Sequence, residues 1–480
     1  MLTRLEVDGF KNLINFAIDF GPFTCIAGPN GAGKSNVFDA IRFLSLLADR
    51  TLTEAAWHVR GSGNIETGDI RDLFWSDEFA HTNRFRIAAE MIVEPHVKDD
   101  FGRDARATST YLRYEIEIGY EGSEFPETLG RLVLYSEKLD YITQGDAANR
   151  IGFPNRAKQF RSRIIKNARR SASYISVAEG VDGQPEITVH QDGGSRGLGQ
   201  RAPAITAPRT IVGTSNTSVT PTILAARREM QQWRFLALEP SAMRQPDRFQ
   251  AEPYITANGG HIPATLYRLL NDALKRGENE ADVYAAIIDR LAEFVRVETI
   301  ELDRDDVRQL FTIMVREHTG VRLPAASLSD GTLRFLTLAV LVADPQAQGL
   351  ICIEEPENGI HPARMAQMVD LLKDLSVDPR EEPGPANPFR QVIVATHSPA
   401  FVQLQDPSDL LFALETRVKD RSGKPVRTLR CLPLAQTWRA ERGEHPVGKG
   451  TILDYLSGPP NAQLKLPQFV ESEGCASISY

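Results

Sequence analysis

Gly28-Pro29-Asn30-Gly31-Ala32-Gly33-Lys34-Ser35 is the stretch that decides how this chain is read. It fits the pattern G-x-x-x-x-G-K-[ST]. The apolar run Phe23–Ala27 precedes it, and the segment after it puts Val37, Ile41, Leu44 and Ala48 on one helical face. Strand, glycine loop and helix form the context in which such a loop binds phosphate. Glycines let backbone N–H groups converge on a polyphosphate, and the helix N-terminus adds positive potential. The residues expected to hold the nucleotide are Asn30, Gly31, Ala32, Gly33, Lys34, Ser35 and Asn36. Lys34 is expected to reach the β- and γ-phosphates, and Ser35 to bind Mg2+.

Working outward, Leu2, Leu5 and Val7, then Ile14, Phe16 and Ile18, alternate with polar residues and predict a hairpin leading into the phosphate-loop strand. Beyond the first helix, the alternating runs Phe85–Val93, Tyr111–Ile118 and Arg131–Leu139 predict an antiparallel sheet. Residues 147–173 then hold Arg150, Arg156, Lys158, Arg161, Arg163, Lys166, Arg169 and Arg170 and no acid. Residues 190–222 are rich in Gly, Ser, Thr and Pro and read as a long, partly disordered loop. Helical patterns return at Thr222–Trp233, Ala264–Leu274 and Asp282–Val295. Strand-like runs follow at Glu298–Leu302 and Leu310–Arg316, and 378–389 reads as a surface loop.

The second half supplies three further polar sites. Ser327-Leu328-Ser329-Asp330-Gly331-Thr332 is a Gly-containing turn before the apolar helical run Leu333–Ala343. Leu350-Ile351-Cys352-Ile353-Glu354-Glu355 reads as a buried strand delivering two carboxylates to its C-terminal edge, where ligands bind in open α/β sheets. Glu354 is placed to join the Mg2+ shell, and Glu355 to polarise an attacking water. The run Gln391–Ala395 ends in Thr396-His397-Ser398, which puts His397 forward as a γ-phosphate contact. Adjacent carboxylates are ordinarily solvated, and a His after a strand is ordinarily structural. What carries weight is their order downstream of a phosphate loop.

Bulk properties set bounds. With a net charge of −8, the whole molecule is not attracted to nucleic acid, so any such binding needs a local patch. Cys25, Cys352, Cys431 and Cys475 are too scattered for a zinc site or a disulfide framework. Met1-Leu2-Thr3-Arg4-Leu5-Glu6 does not read as a signal peptide, and the apolar run Leu338–Ala343 is far too short to span a membrane. The expectation is a cytoplasmic chain with no membrane partner.

Together the motifs resemble an ATPase head of the ABC superfamily, in the branch of the RecF and SMC proteins. Phe10-Lys11-Asn12-Leu13 resembles that branch's opening strand, and Lys34 and Ser35 match its Walker A. Leu328–Thr332 resembles the ABC signature, Ile353-Glu354-Glu355 the Walker B, Glu357-Asn358-Gly359-Ile360-His361 the D-loop, and His397 the switch histidine. Trp233–Pro246 and Asn258–Leu270 look like segments of a bacterial subgroup of AAA-type ATPases. Departures from the branch are Glu354 for the usual Asp, Asp330 for the signature's central Gly, and no placeable Q-loop Gln.

The resemblance implies an α/β fold: a mixed sheet around a P-loop core, an antiparallel β lobe, and a compact, partly helical insert between Walker A and the signature. The expected divisions are 1–145 (first half of the head), 146–325 (insert), 326–415 (second half of the head) and 416–480 (extension). It also implies ATP and Mg2+ as ligands. Lys34, Glu355 and His397 become catalytic candidates, Ser35 and Glu354 metal candidates. Two copies would dimerise head to tail, with Ser329 and Gly331 closing over the partner's ATP. The absence of heptads makes the insert more RecF-like than SMC-like. Its basic run offers double-stranded DNA contact through Arg156, Lys158, Arg161, Arg163, Lys166, Arg169 and Arg170, and an acidic protein surface is the alternative partner. With no nuclease signature in the chain, a nuclease or other effector would be a separate protein of DNA repair or anti-phage defence.

Overall fold

The computed structural model describes residues 1–59, 69–76, 82–122, 130–167, 172–180, 182–192, 200–292, 297–317, 320–419, 423, 425–443 and 445–457. Arg169, Arg170, Phe294 and Cys475 lie outside these residues, as do all residues beyond Ser457.

The centre is a six-stranded sheet in the order Arg234–Leu236, Gly349–Glu354, Arg390–Thr396, Phe23–Ala27, Leu410–Lys419, Pro425–Pro433. The first five strands are parallel; the last pairs antiparallel with its neighbour. Parallel strands covered on both faces need apolar residues at every position. Gly349–Glu354 shows this: Leu350 and Cys352 pack into one core, Ile351 and Ile353 into the other, and only Glu354 at its end is exposed. Because the strands run parallel, the residues after Leu236, Glu354, Thr396 and Ala27 emerge at one edge of the sheet.

One face of this sheet packs on the helix Lys34–Leu47, whose residues Val37, Ile41, Leu44 and Ala48 are fully buried. Beyond it lies an eight-stranded antiparallel sheet in which the opening hairpin pairs with Arg84–Ile92, then Tyr111–Glu121, then Arg131–Tyr141. The opposite face packs on the helices Ile262–Lys275, Asp330–Ala343 and Met365–Asp374. Cys25, Cys352 and Cys431 are buried and form no disulfide among the described residues. Among the described residues no helix is long and apolar enough to cross a membrane.

The stretch expected as an insert, 146–325, is shared between sheets. Ile175–Glu179, Pro185–Val189 and Gln200–Pro203 extend the antiparallel sheet by three strands, and Arg234–Leu236 is an edge strand of the central sheet. The described part of 190–222 is accordingly ordered structure and not one loop. Short strands in polar surroundings left no periodic signal long enough to read. The hairpin Val297–Asp305 with Leu310–Glu317 and the helices Pro221–Gln231, Ile262–Lys275 and Glu280–Ala292 follow the expected positions.

Candidate active site

The phosphate loop is held open by glycine and closed by Asn12. Gly31 and Gly33 have φ of 79° and 97°, conformations that L side chains rarely adopt. A Cβ on Gly33 would overlap the Asn12 amide, and one on Gly28 would sit 2.6 Å from the Ala413 carbonyl oxygen. Asn12 accepts a hydrogen bond from Asn36 Nδ2 at 2.7 Å and lies against the Ala32 carbonyl, so the opening hairpin braces the loop. Lys34 Nζ donates to the carbonyls of Gly28 (2.6 Å) and Pro29 (3.0 Å). Burial pulls its pKa down, against the upward pull of Glu355, Glu354 and Glu357.

Asn30, Gly31, Gly33, Lys34, Ser35 and Asn36 line a cleft of about 280 Å³ with Glu354, Glu355 and Ala395. Residues more than three hundred positions apart thus meet because Phe23–Ala27, Arg390–Thr396 and Gly349–Glu354 are neighbouring parallel strands. Ala32 is not part of the lining: its side chain is buried in the core and its N–H turns back to Pro29.

Glu354 ends its strand, and Glu355 leaves it with a left-handed φ of 47°, a costly conformation for a residue with a side chain. Its N–H is fixed on the Ala395 carbonyl at 2.9 Å. His397 Nδ1 lies 2.7 Å from Glu355 Oε2, so the histidine abuts the carboxylate and is not itself among the residues lining the cleft. The burial of Glu357, three residues beyond Glu354 and at the start of the D-loop resemblance, is a feature the sequence did not reveal. Glu357 accepts a hydrogen bond from Thr396 Oγ1, and has no hydrogen-bond partner on Oε2 among the described residues. Burial, with Glu355 adding to it, holds its carboxyl well above the usual range.

Ser329 caps the helix Asp330–Ala343, its hydroxyl accepting from Thr332 N at 3.2 Å. Ser329 and Asp330 are exposed, and neither they nor Gly331 line the cleft of their own chain. A Cβ on Gly331 would come within 3.2 Å of the Gly359 carbonyl, so the turn sits directly on the segment after Glu357.

The basic run is divided. Phe153, Phe160 and Ile165 anchor it in a small core with Met1, Ile92 and Tyr111. Arg150 pairs with buried Glu90, and Arg163 lies 3.1 Å from Glu382. Arg156, Lys158 and Lys166 are exposed, and Arg161 is half-buried.

Known proteins match the two ends of the head separately. Residues 216–403 match the family described as "AAA domain, putative AbiEii toxin, Type IV TA system", and residues 1–57 the "RecF/RecN/SMC N terminal domain". A stretch of 45 residues is 56% identical to structural maintenance of chromosomes protein 1 of Schizosaccharomyces pombe. The chromosome partition protein Smc of Halothermothrix orenii is 51% identical over 45 residues. Each match covers 9% of this chain and 4% of the relative's length. Among solved structures, an Smc head bound to the C-winged helix domain of ScpA is similar at 15% identity, covering 90% of this chain and 98% of that one with a TM-score of 0.45. The SMC head domain from Thermotoga maritima gives 14%, 90%, 98% and 0.36. The two family matches, one on the phosphate-loop segment and one on the segment that carries Glu354, Glu355 and His397, support an ATPase head of the ABC superfamily, in its RecF/SMC branch.

Proposed function

We propose that this chain binds and hydrolyses ATP and that ATP joins two copies head to tail. The observation that carries this is the split of the site: phosphate loop, Glu354 and Glu355 share one cleft, while Ser329 and Gly331, at a capped helix N-terminus, lie outside it, with Ser329 exposed. An exposed helix N-terminus is suited to an anion, and in this reading that anion is the nucleotide of a second copy.

In this reading Lys34 exchanges the Gly28 and Pro29 carbonyls for phosphate oxygens. The Ser35 hydroxyl and Glu354 carboxylate are hard oxygen donors of the kind Mg2+ prefers, and they would hold it. The ion would supply charge neutralisation on the phosphates. Glu355 takes the proton of the attacking water, with His397 holding its carboxylate in place and serving as the γ-phosphate contact in the closed dimer. The role of ATP is then to hold the dimer, and hydrolysis releases it.

The exposed part of the basic run, Arg156, Lys158, Arg161 and Lys166, is the candidate DNA contact, coupling the cycle to DNA or to a separately encoded effector in the cytoplasm. The pairing of Arg163 with Glu382 favours a second reading, in which this surface meets an acidic protein and not DNA. ATP turnover with and without linear double-stranded DNA tests both, with Glu355→Gln as control. Turnover that rises with DNA and disappears in the variant supports the first reading. Turnover indifferent to DNA supports the second, and no ATP binding by the parent chain overturns both.

A further inference from the structure

Asp330 stands where the ATP-dependent dimer would bring a polyphosphate. A carboxylate at an anion-accepting helix N-terminus opposes its own task. It repels the phosphate and offsets the positive potential of the helix end. The structure contains the group that counters it. Arg244, just beyond the short helix Pro240–Met243, places Nη2 2.6 Å from Asp330 Oδ1 and 3.0 Å from the Leu328 carbonyl oxygen. One guanidinium therefore grips the turn at its backbone and at its acid. The helix that Arg244 caps follows the edge strand Arg234–Leu236, which pairs directly with the strand ending in Glu354. A second cation lies on the signature helix: Arg334, one turn after Asp330, mostly buried, with Nε unpartnered among the described residues. It feels both Asp330 and Glu357.

We infer that Arg244 is a positioning residue that converts the Leu328–Thr332 turn into an anion acceptor by neutralising Asp330 and fixing the loop carbonyl, so that the turn can close on the ATP of a second copy. This rests on the head-to-tail reading above. In the single chain the pair is partly exposed, where such bridges are weak. Closing a partner over it removes water and strengthens every charge interaction around it. The pair therefore acts on dimer formation more than on the stability of the single chain. Asp330 is then a conditional liability: harmful when Arg244 is removed, tolerated when it is present.

The test is a four-variant cycle in a Glu355→Gln background, read as ATP-dependent dimerisation by light scattering and as ATP binding by a fluorescent analogue. Arg244→Gln is expected to weaken dimerisation at least tenfold while analogue binding to the single chain stays within twofold. Asp330→Gly alone is expected to leave dimerisation near the parent, and combined with Arg244→Gln to recover most of the loss. Arg244→Lys keeps the charge but not the two-point grip, and is expected to fall between. Thermal melts identify a variant that has not folded; in that event Arg244→Lys with and without Asp330→Gly repeats the cycle. Dimerisation of Arg244→Gln equal to the parent overturns the inference. So does a double variant as weak as Arg244→Gln, which makes Arg244 a purely structural brace. A Glu355→Gln parent that binds ATP but never dimerises overturns the head-to-tail reading itself, and this inference with it.

Discussion

The nucleotide cleft and the segment from 146 to 222 teach opposite lessons about where structural information lies. In the cleft, each functional side chain is aimed by the backbone beside it. Gly31 and Gly33 shape the loop, the end of a buried strand presents Glu354, and the left-handed turn at Glu355 swings its carboxylate aside. In the later segment, remote acids decide what the basic and small residues do. Glu90, on the strand Arg84–Ile92, takes Arg150 and Arg113, and Glu137, on the strand Arg131–Tyr141, takes the N–H groups of Ile211 and Val212. Local motifs should therefore fail by losing chemistry, and remotely fixed segments by losing stability.

The largest effect tests the first half of that contrast. Glu355→Gln removes the proposed proton acceptor and is expected to lower ATP turnover by at least about 100-fold, the low end for loss of a general base, while leaving ATP binding intact. Lys34→Ala is expected to remove both binding and turnover. Steady-state phosphate release and nucleotide titration separate the two. A Glu355→Gln variant that turns over normally would mean that another group takes the proton, and the buried carboxyl of Glu357 would be the first place to look.

The segment's own dependence is on pH. Glu137 is fully buried, its carboxyl pushed up to about 7 by burial, against the opposing pull of the Ile211 and Val212 N–H groups and the Tyr114 hydroxyl. Below its ordinary value near 4.5 both folded and unfolded chains are protonated there, and the stability is fully present. As pH rises from there through about 7, the unfolded chain gives up the proton and the folded chain retains it, so stability falls. The loss is on the order of 3 kcal/mol across that window. Urea melts at several pH values should show the decline, and Glu137→Gln should flatten it. An unchanged slope in that variant would place the titration elsewhere.

A smaller loss is expected from Glu90→Ala, which strips the buried acid from Arg113 and Arg150. Removing one partner of a buried pair is costly, but Arg150 is half in water, so about 2 kcal/mol is expected, with about 1 kcal/mol for Arg150→Ala. Nucleotide binding in both variants should match the parent. Loss of binding without loss of stability would break the contrast, since it would tie the segment to the cleft.

This division explains what was legible in the sequence. The phosphate loop, the two acids and the order of the motifs along the chain were readable because G-x-x-x-x-G-K-S and a buried run ending in Glu354-Glu355 constrain their own backbone. The antiparallel sheet was readable as far as Arg131–Leu139, where long strands alternate clearly. Three additional strands and the edge strand Arg234–Leu236 were not, being three to five residues long and recognisable only by the strand each one pairs with. The burial of Glu357 was missed for a related reason. Nothing in Pro356-Glu357-Asn358 indicates burial; only the closure of Thr396 over it, from a neighbouring strand, does.

The smallest expected effect concerns the exposed remainder of the basic run. The unbroken series of cations in the sequence overstates the charge available, because Arg150 turns inward to Glu90 and Arg163 faces Glu382. Reversing Arg156 and Lys158 together is expected to weaken double-stranded DNA binding by less than tenfold. It should also reduce the slope of log K against log salt by about 2, roughly one for each phosphate left without its cation. Glu382→Gln works in the opposite direction: it frees Arg163 and should tighten binding about twofold while steepening the same slope by about 1. Fluorescence anisotropy on a labelled duplex at several salt concentrations measures both. If neither variant moves the slope, the described surface of this segment does not touch DNA. Its charge would then serve contacts with protein, as the pairing with Glu382 already does within the chain.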